Sequence, residues 1–320
     1  MVKPRWRLQT QFYFYIIWSL IIQSVSLSAQ GITGNFTQLT EKDGLASNTI
    51  NSILVDDLGY IWIGTYNGLV RYDGYEFKRF YSNPNDPSAI QGMVAGSLFQ
   101  DSRKNIWLGT NPAFIVRYDP VARAFHTFDY DSFLTPQLGQ APINGYYMND
   151  VCEDDQGRMY FAISGPGQLE NGLLYMDAAE DQVHLFSNSG TRPLQDVFSI
   201  HKDEKGTIWL VTNSGFFQID RSGKLTEVDL STLNFPRPES GEYYVQSIFQ
   251  SKNHTWFLIS DLSIYDYDWN ANTYRMWKSP FQTITETERR IARNFILDEE
   301  GHLWIGTNAG IQFFDPANGK

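Results

Sequence analysis

The residues best suited to chemistry in this chain are carboxylates at turns. Asp56, Asp57, Asp154, Asp155, Asp203 and Asp298 stand in or beside short Asp-x-x-Gly stretches that could hold a cation. Side-chain-to-backbone bonds account for Asp in a four-residue turn without any ion, and the chain has no D-x-[DN]-x-[DN]-G loop. The five histidines, His126, His184, His201, His254 and His302, fall singly with no H-x-x-x-H spacing and read as surface or turn residues. Cys152 is the single cysteine, which excludes an intramolecular disulfide, a cysteine zinc cluster and a CxxC redox pair, and it reads as buried filler. Ser164-Gly165-Pro166-Gly167 lacks the Lys-Ser/Thr and the helix of a phosphate loop, and reads as an insertion between strands. Thr285 to Glu288 fits a helix capping box inside a connecting loop. These residues predict no catalytic group, no metal and no cofactor.

The elements that must position them repeat along the chain. DDLGYIWIGTYNGLVRYD (Asp56 to Asp73) recurs as DSRKNIWLGTNPAFIVRYD (Asp101 to Asp119), DEKGTIWLVTNSGFFQID (Asp203 to Asp220) and DEEGHLWIGTNAGIQFFD (Asp298 to Asp315). Weaker copies are DDQGRMYFAIS (Asp154 to Ser164) and SKNHTWFLIS (Ser251 to Ser260). The six anchor aromatics, Trp62, Trp107, Tyr160, Trp209, Trp256 and Trp304, are 45, 53, 49, 47 and 48 residues apart, a period that predicts four short strands per unit. In the first copy a strand near Ile50 to Val55 leads through a turn at Asp56 to Gly59 into a strand at Ile61 to Thr65. A turn at Asn67-Gly68, a strand at Leu69 to Tyr72 and an outer strand at Phe77 to Phe80 follow. Alternation puts Trp62 and Gly64 on one face and Ile61, Ile63 and Thr65 on the other, so both faces are mostly apolar and the sheet must be sandwiched. Radial stacking in an all-β propeller does this, and Gly64, Gly109 and Gly306 leave room for a neighbouring blade.

Further outer strands read at Phe125 to Phe128, Val183 to Phe186, Leu225 to Val228 and Tyr274 to Trp277, and the last copy has none. An unpartnered segment, Phe36 to Leu39, precedes the first copy and could complete the sixth blade. The six repeats therefore fit either a closed six-bladed ring or an incomplete seven-bladed propeller, with the turn-like ending DPANGK favouring the second.

Composition narrows the function class. The 320 residues are 42% hydrophobic and 15% aromatic, enough to bury a sizeable core, and carry 25 Lys plus Arg against 36 Asp plus Glu. No basic footprint for nucleic acid exists in that balance. Lys3, Arg5 and Arg7 precede an apolar run from Phe12 to Ile22, too short to span a bilayer comfortably, with small residues at Ser26, Ser28 and Ala29. Residues 1–30 thus read as a signal peptide and 31–320 as a soluble domain outside the cytoplasm, which touches the membrane only if the signal segment is not cleaved.

The pattern D-x-x-G-x-x-W-x-G-T-x-x-G-L, as in Asp56, Gly59, Trp62, Gly64, Thr65, Gly68 and Leu69, resembles the two-component regulator propeller repeat. The opening FTQLTEKDGLASNTI is similar to that family's usual first blade, and the likeness covers most of Phe36 to Asp315. The copies around Tyr160 and Trp256 depart from it, since neither is followed by Gly-Thr. The resemblance implies the N-terminal periplasmic sensor part of a hybrid two-component system of the Bacteroidetes type, which detects glycan fragments and switches on polysaccharide-use genes. Full members of such a family carry two seven-bladed propellers, an immunoglobulin-like domain, a membrane helix that anchors them in the inner membrane, a histidine kinase and usually a receiver with a DNA-binding module. Against that pattern this chain reads as a truncated sensor with no kinase of its own. The Asp turns also resemble those of sialidase propellers, but a glycosidase needs an arginine cluster and paired carboxylates. Arg71, Arg117 and Arg221 sit at the ends of third strands or in their turns, away from the expected ligand face.

In a four-stranded blade the turns between strands two and three share one face with the blade-to-blade links. That face collects Tyr66, Asn67, Asn111, Asn213, Asp261 and Asn308, and long links carry Tyr146, Tyr147, Tyr243 and Tyr244. Aromatic faces stack on sugar rings and amides bond hydroxyls, so these ten residues are the candidate oligosaccharide site. Asn in a two-residue turn also tolerates a left-handed backbone, which is the competing explanation of its presence. The leading reading is a non-catalytic periplasmic oligosaccharide sensor. A protein-interaction propeller that dimerises is the alternative, and a carbohydrate-active enzyme comes third.

Overall fold

Each repeat folds into an antiparallel sheet whose strands follow chain order, because Asp-Gly turns of a few residues leave consecutive strands nowhere to go but beside each other. The structure, a computed structural model, describes residues 39–93, 95–111, 113–130, 132, 147–165, 172–178, 181–186, 194–212, 214–229, 245–251, 254–259, 263–268, 270–277, 292–298, 300–307 and 310–317. The chain separates into two compact units, Met1–Leu39 and Thr40–Lys320, and the fold belongs to the second. The expected signal peptide lies outside the described residues.

Blade one holds β1 (Ile50–Val55), β2 (Ile61–Thr65), β3 (Gly68–Tyr72) and β4 (Phe77–Phe80). Blade two holds β5 (Ala95–Gln100), β6 (Ile106–Thr110), β7 (Phe114–Asp119) and β8 (Ala124–Asp129). Blade three has β9 (Tyr147–Glu153), β10 (Met159–Ser164), β11 (Leu173–Met176) and the short β12 (His184–Leu185). Blade four has β13 (Val197–Lys202), β14 (Ile208–Thr212), β15 (Gly215–Ile219) and β16 (Leu225–Glu227). Blade five has β17 (Val245–Ser251), β18 (His254–Ile259), β19 (Ile264–Asp268) and β20 (Thr273–Trp277). Blade six has β21 (Ala292–Leu297), β22 (Leu303–Thr307) and β23 (Gly310–Phe314), with no fourth strand among the described residues. Phe36 to Gln38, most of the expected closing strand, lie outside the described residues, and Leu39 is not in a strand.

First strands pack side by side in chain order, β1 on β5, β5 on β9, β9 on β13, β13 on β17 and β17 on β21. The sheets fan out from this row, and blades two and three bury both faces between their neighbours. Trp62 and Leu69 of blade one pack against Ile106, Leu108, Val116 and Tyr118 of blade two. Trp107 and Ile115 of blade two pack against Val151, Met159 and Phe161 of blade three. Tyr160, Ala162 and Leu173 of blade three pack against Ile200, Leu210 and Phe217 of blade four. This is propeller stacking, as the two-sided apolar strands require. Gly109 meets its expected purpose, because a Cβ there would lie 2.6 Å from the Cβ of Met148 in the next blade. Cys152 is buried in the seam between blades three and four, and burial raises its thiol pKa well above the usual value.

Among the described strands blade one ends the row, and the face of β1 turned away from blade two carries Ile53 at 65% and Val55 at 62% exposure. Further out on that face, Leu45 and Ala46 from the preceding segment cover Ile63 and Val70. Every first strand also shifts register near its start, at Ile50/Ser52, Ala95/Leu98, Met148/Asp150, Val197/Ser199, Val245/Ser247 and Ala292/Asn294. Such bulges re-aim side chains. Here they turn polar groups onto the neighbouring blade: Ser52 Oγ donates to the Gly96 carbonyl, and Asn149 Nδ2 donates to the Val197 carbonyl at 2.7 Å.

Candidate functional site

The connections divide between two faces with opposite chemistry. On the face of the short turns, Asp56 Oδ1 accepts from the backbone N–H of Leu58 and Tyr60, both at 2.9 Å, while Oδ2 accepts from the Trp62 indole at 2.8 Å. Asp101 treats Arg103, Asn105 and Trp107 the same way. Asp203 and Asp298 reach Trp209 at 3.0 Å and Trp304 at 2.8 Å. In blade three the phenol of Tyr160 stands in, 3.5 Å from Asp154. The turn carboxylates are thus filled by protein donors, as expected, but the indole bond was not foreseen. Its signal is in the sequence, an Asp six residues before the anchor aromatic in every copy but the fifth, where Gln250 precedes Trp256.

Blade five carries a different polar cluster on its strands. Asp266, buried on β19, accepts from Arg275 Nη2 at 2.6 Å and bonds His254 Nδ1 at 2.6 Å. His184, His201 and His254, expected at the surface or in turns, are half-buried strand residues. His302 is 3.1 Å from Asp298 and lies near Glu300, but the Asp298 carboxylate already accepts the Trp304 indole.

Ion pairs and hydrogen bonds stitch the same face from blade to blade. Lys104 pairs with Asp57, Ser102 donates twice to Glu153 at 2.7 Å, and Lys202 and Arg221 both reach Asp155. Arg117 holds Asp181 at 2.7 Å, and that hydrogen bond lowers the Asp181 pKa below the usual carboxylate range. Arg71 instead lies over the Tyr60 ring, 4.3 Å from its centroid. The three arginines that a sialidase-like site would gather therefore serve three separate places.

The opposite face, with the turns between second and third strands and the links, holds the candidate ligand residues. Tyr66, Asn67, Asn111 and Tyr147 are described, whereas Tyr146, Asn213, Tyr243, Tyr244, Asp261 and Asn308 lie outside the described residues. The structure brings Asn67 and Asn111 to one cavity of about 790 Å³ between blades one and two, walled also by Tyr81, Ser82, Gln91 and Phe114. Tyr66 and Tyr147 stay exposed on the same face, at 62% and 54%, and do not line this cavity.

Local folding explains the cavity's shape. The turn of blade one is Tyr66-Asn67 rather than Asn67-Gly68: Gly68 pairs with Thr65, and the Thr65 hydroxyl accepts from Asn67 N–H at 3.2 Å and donates to the Gly68 carbonyl at 2.8 Å. Gly68 takes φ +108°, where a Cβ would lie 2.5 Å from the Phe80 carbonyl oxygen. Asn67 and Asn111 are both outside the left-handed region, so backbone tolerance does not account for their amides. The link after β4 is rigid. Gln91 Nε2 donates to the carbonyls of Asn83, Asp86 and Ala89, the Thr110 hydroxyl grips the Gln91 carbonyl at 2.5 Å, and Ile90 is buried in the core. Tyr81, Ser82 and Gln91 were missed because links fall outside the repeat, although the run YSNPNDPSAIQGM marks an ordered, turn-rich connection, and Phe114 because it opens β7 and reads as a strand residue.

Comparison with known proteins agrees with this geometry. A family model described as Two component regulator propeller matches residues 44–67. Histidine kinase P4 of Formosa agariphila is 36% identical over 77 residues, a stretch covering 23% of this chain and 6% of that relative. Among solved structures, the extracellular domain of a protein described as a hybrid two component system from B. thetaiotaomicron aligns with a TM-score of 0.61 and 21% identity, over 89% of this chain and 35% of its own. A catalytically inactive variant of virginiamycin B lyase from Staphylococcus aureus aligns with a TM-score of 0.58 and 16% identity, over 84% of this chain and 82% of its own. At these identities the two structures speak for the fold alone. The match at residues 44–67 shows one copy of the two component regulator propeller repeat, and the chain's other repeats are similar to it.

Proposed function

We propose that this chain is the ligand-sensing propeller of a hybrid two-component signalling system, placed outside the cytoplasm, and that its ligand is an oligosaccharide. It has no catalytic role of its own, and the signal passes to a kinase in a longer polypeptide. The observation that carries the reading is the cavity on the link face, where amides and aromatic rings meet on rigid backbone. Similarity to the histidine kinase supports the signalling half of the reading. Calorimetry of the purified chain against plant, host and microbial glycans tests the ligand, and silence across the whole panel overturns it.

A second reading, a propeller that associates with its own kind, draws on the exposed Ile53 and Val55 at the free face of blade one. Light scattering decides between a monomer and a dimer. Reducing-sugar release that vanished on replacing one carboxylate would revive an enzyme, which the dispersed arginines argue against.

A further inference from the structure

We propose that the cavity between blades one and two is a subsite for uncharged sugar units and turns away glycans whose bound unit is acidic or sulfated. The proposal rests on the oligosaccharide reading and adds to it a place and a charge class.

The lining carries the first part. Ten described residues border the cavity, and none is Asp, Glu, Lys, Arg or His. A carboxylate or sulfate entering it would shed water and meet no cation, in a chain whose own net charge is −11. A hydroxyl-rich neutral ring meets what it needs instead. Among the described residues, the Asn111 side-chain amide and the hydroxyls of Tyr81 and Ser82 have no protein partner, and the Asn67 amide donates only one long bond, 3.5 Å to the Ala46 carbonyl. Amides and hydroxyls both donate and accept, which suits them to the mixed demands of sugar hydroxyls. Tyr81 and Phe114 add ring faces for the C–H side of a sugar.

The second part is preorganisation. Gly92 takes φ +87° and a Cβ there would lie 2.2 Å from the Asn111 carbonyl oxygen, so the link and the Asn111 turn are pressed together at a fixed distance. Gln91 anchors the link through three carbonyls. Walls held by backbone bonds lose little freedom when a ligand binds. Because one wall comes from blade one and the other from blade two, an occupant bridges two blades.

The test is calorimetry of the purified chain with neutral gluco-, xylo-, manno- and galacto-oligosaccharides beside oligogalacturonate and sulfated galactan oligosaccharides. A neutral glycan should bind, and both Asn111→Ala and Tyr81→Phe should weaken it at least tenfold with an unchanged melting temperature. Tyr81→Phe removes one hydroxyl and keeps the ring, so it reports on binding even if Asn111→Ala perturbs the turn. Ser82→Lys should in turn admit oligogalacturonate. Binding of only acidic glycans, or neutral binding indifferent to both variants, overturns this proposal while leaving an oligosaccharide sensor standing. Silence toward every glycan overturns the sensor reading and this subsite with it.

Discussion

The two faces of the propeller are built from the same strands yet obey different rules. On the short-turn face polar groups are spent: the Asp56 carboxylate accepts three hydrogen bonds and that of Asp101 four, and Lys104, Ser102 and Lys202 reach across to neighbouring blades. On the link face, Asn111, Tyr81 and Ser82 keep polar groups open to the cavity and Tyr66 and Tyr147 stay exposed. The difference follows from connectivity. A turn between adjacent strands repeats with the blade and can be optimised once for stability, whereas a link must span to the next sheet and varies in length and residues. Scaffold chemistry therefore gathers on one side and the proposed recognition chemistry on the other.

The largest break in that comparison comes from the turn-face anchor itself. Trp107 is buried between blades two and three, stacked on Phe128 and tilted against Phe161. Trp107→Ala should cost about 3–5 kcal/mol in urea unfolding, through lost contacts and the void left behind. Trp304, only half-buried beside Phe313, should cost clearly less on the same substitution. Next comes the carboxylate. Asp101→Ala strips acceptors from the N–H groups of Arg103 and Asn105 and from the Trp107 indole, and should cost about 2–3 kcal/mol. Equal losses from Asn67→Ala on the link face would erase the distinction between the faces.

What the sequence made legible follows the same line. Asp56, Trp62 and Thr65 recur at fixed offsets in the four strong copies, so period, strand order, two-sided burial and the missing outer strand of the last repeat could all be read from the repeats they mark. The Asp-to-indole bond was in view as a spacing of six but was read as a turn signal alone, since a string does not show that the Trp ring folds back over its own turn. The cavity was half legible. Asn67 and Asn111 sit in repeated turns, but Tyr81 and Ser82 belong to a link used once, and no period points to a residue that does not recur. The His254, Asp266 and Arg275 cluster depends on cross-strand register over three strands, which local pattern does not encode.

A smaller effect should appear with pH. Asp150, on β9 where the first strands meet, accepts from Ile200 N–H at 3.0 Å and Ser199 Oγ at 3.2 Å on the next blade. Burial in that seam pushes its pKa up to about 6, against 3.8 for a free side chain. The folded state therefore holds this proton more tightly than the unfolded chain, and stability should rise as pH falls through about 6 towards 4. From pH 7.5 to 5 the gain is about 1 kcal/mol, allowing for the residue's partial exposure. Hydrogen bonds from Glu76, Ser88 and Ser222 hold Asp73, Asp86 and Asp220 below the usual range, and their opposite effect begins only near pH 4. Thermal melts at pH 7.5 and 5 should show the rise in the natural chain and its disappearance in Asp150→Asn; a flat profile in both means the seam does not strain the carboxylate.

The smallest expected effect sharpens the comparison most. Lys104 and Asp57 form an ion pair between blades one and two, the same two blades that wall the link-face cavity, yet both side chains are 57% exposed. An exposed pair in water is screened and costs side-chain freedom to hold, so Lys104→Ala should change unfolding free energy by no more than about 0.5 kcal/mol, and less still in high salt. The same variant removes a cation from the turn face and alters nothing that lines the cavity. Its glycan affinity should therefore equal that of the natural chain. If Lys104→Ala shifted binding several-fold while stability barely moved, the seam would be transmitting between the faces, and the division into a scaffold side and a recognition side would give way to a coupled blade pair.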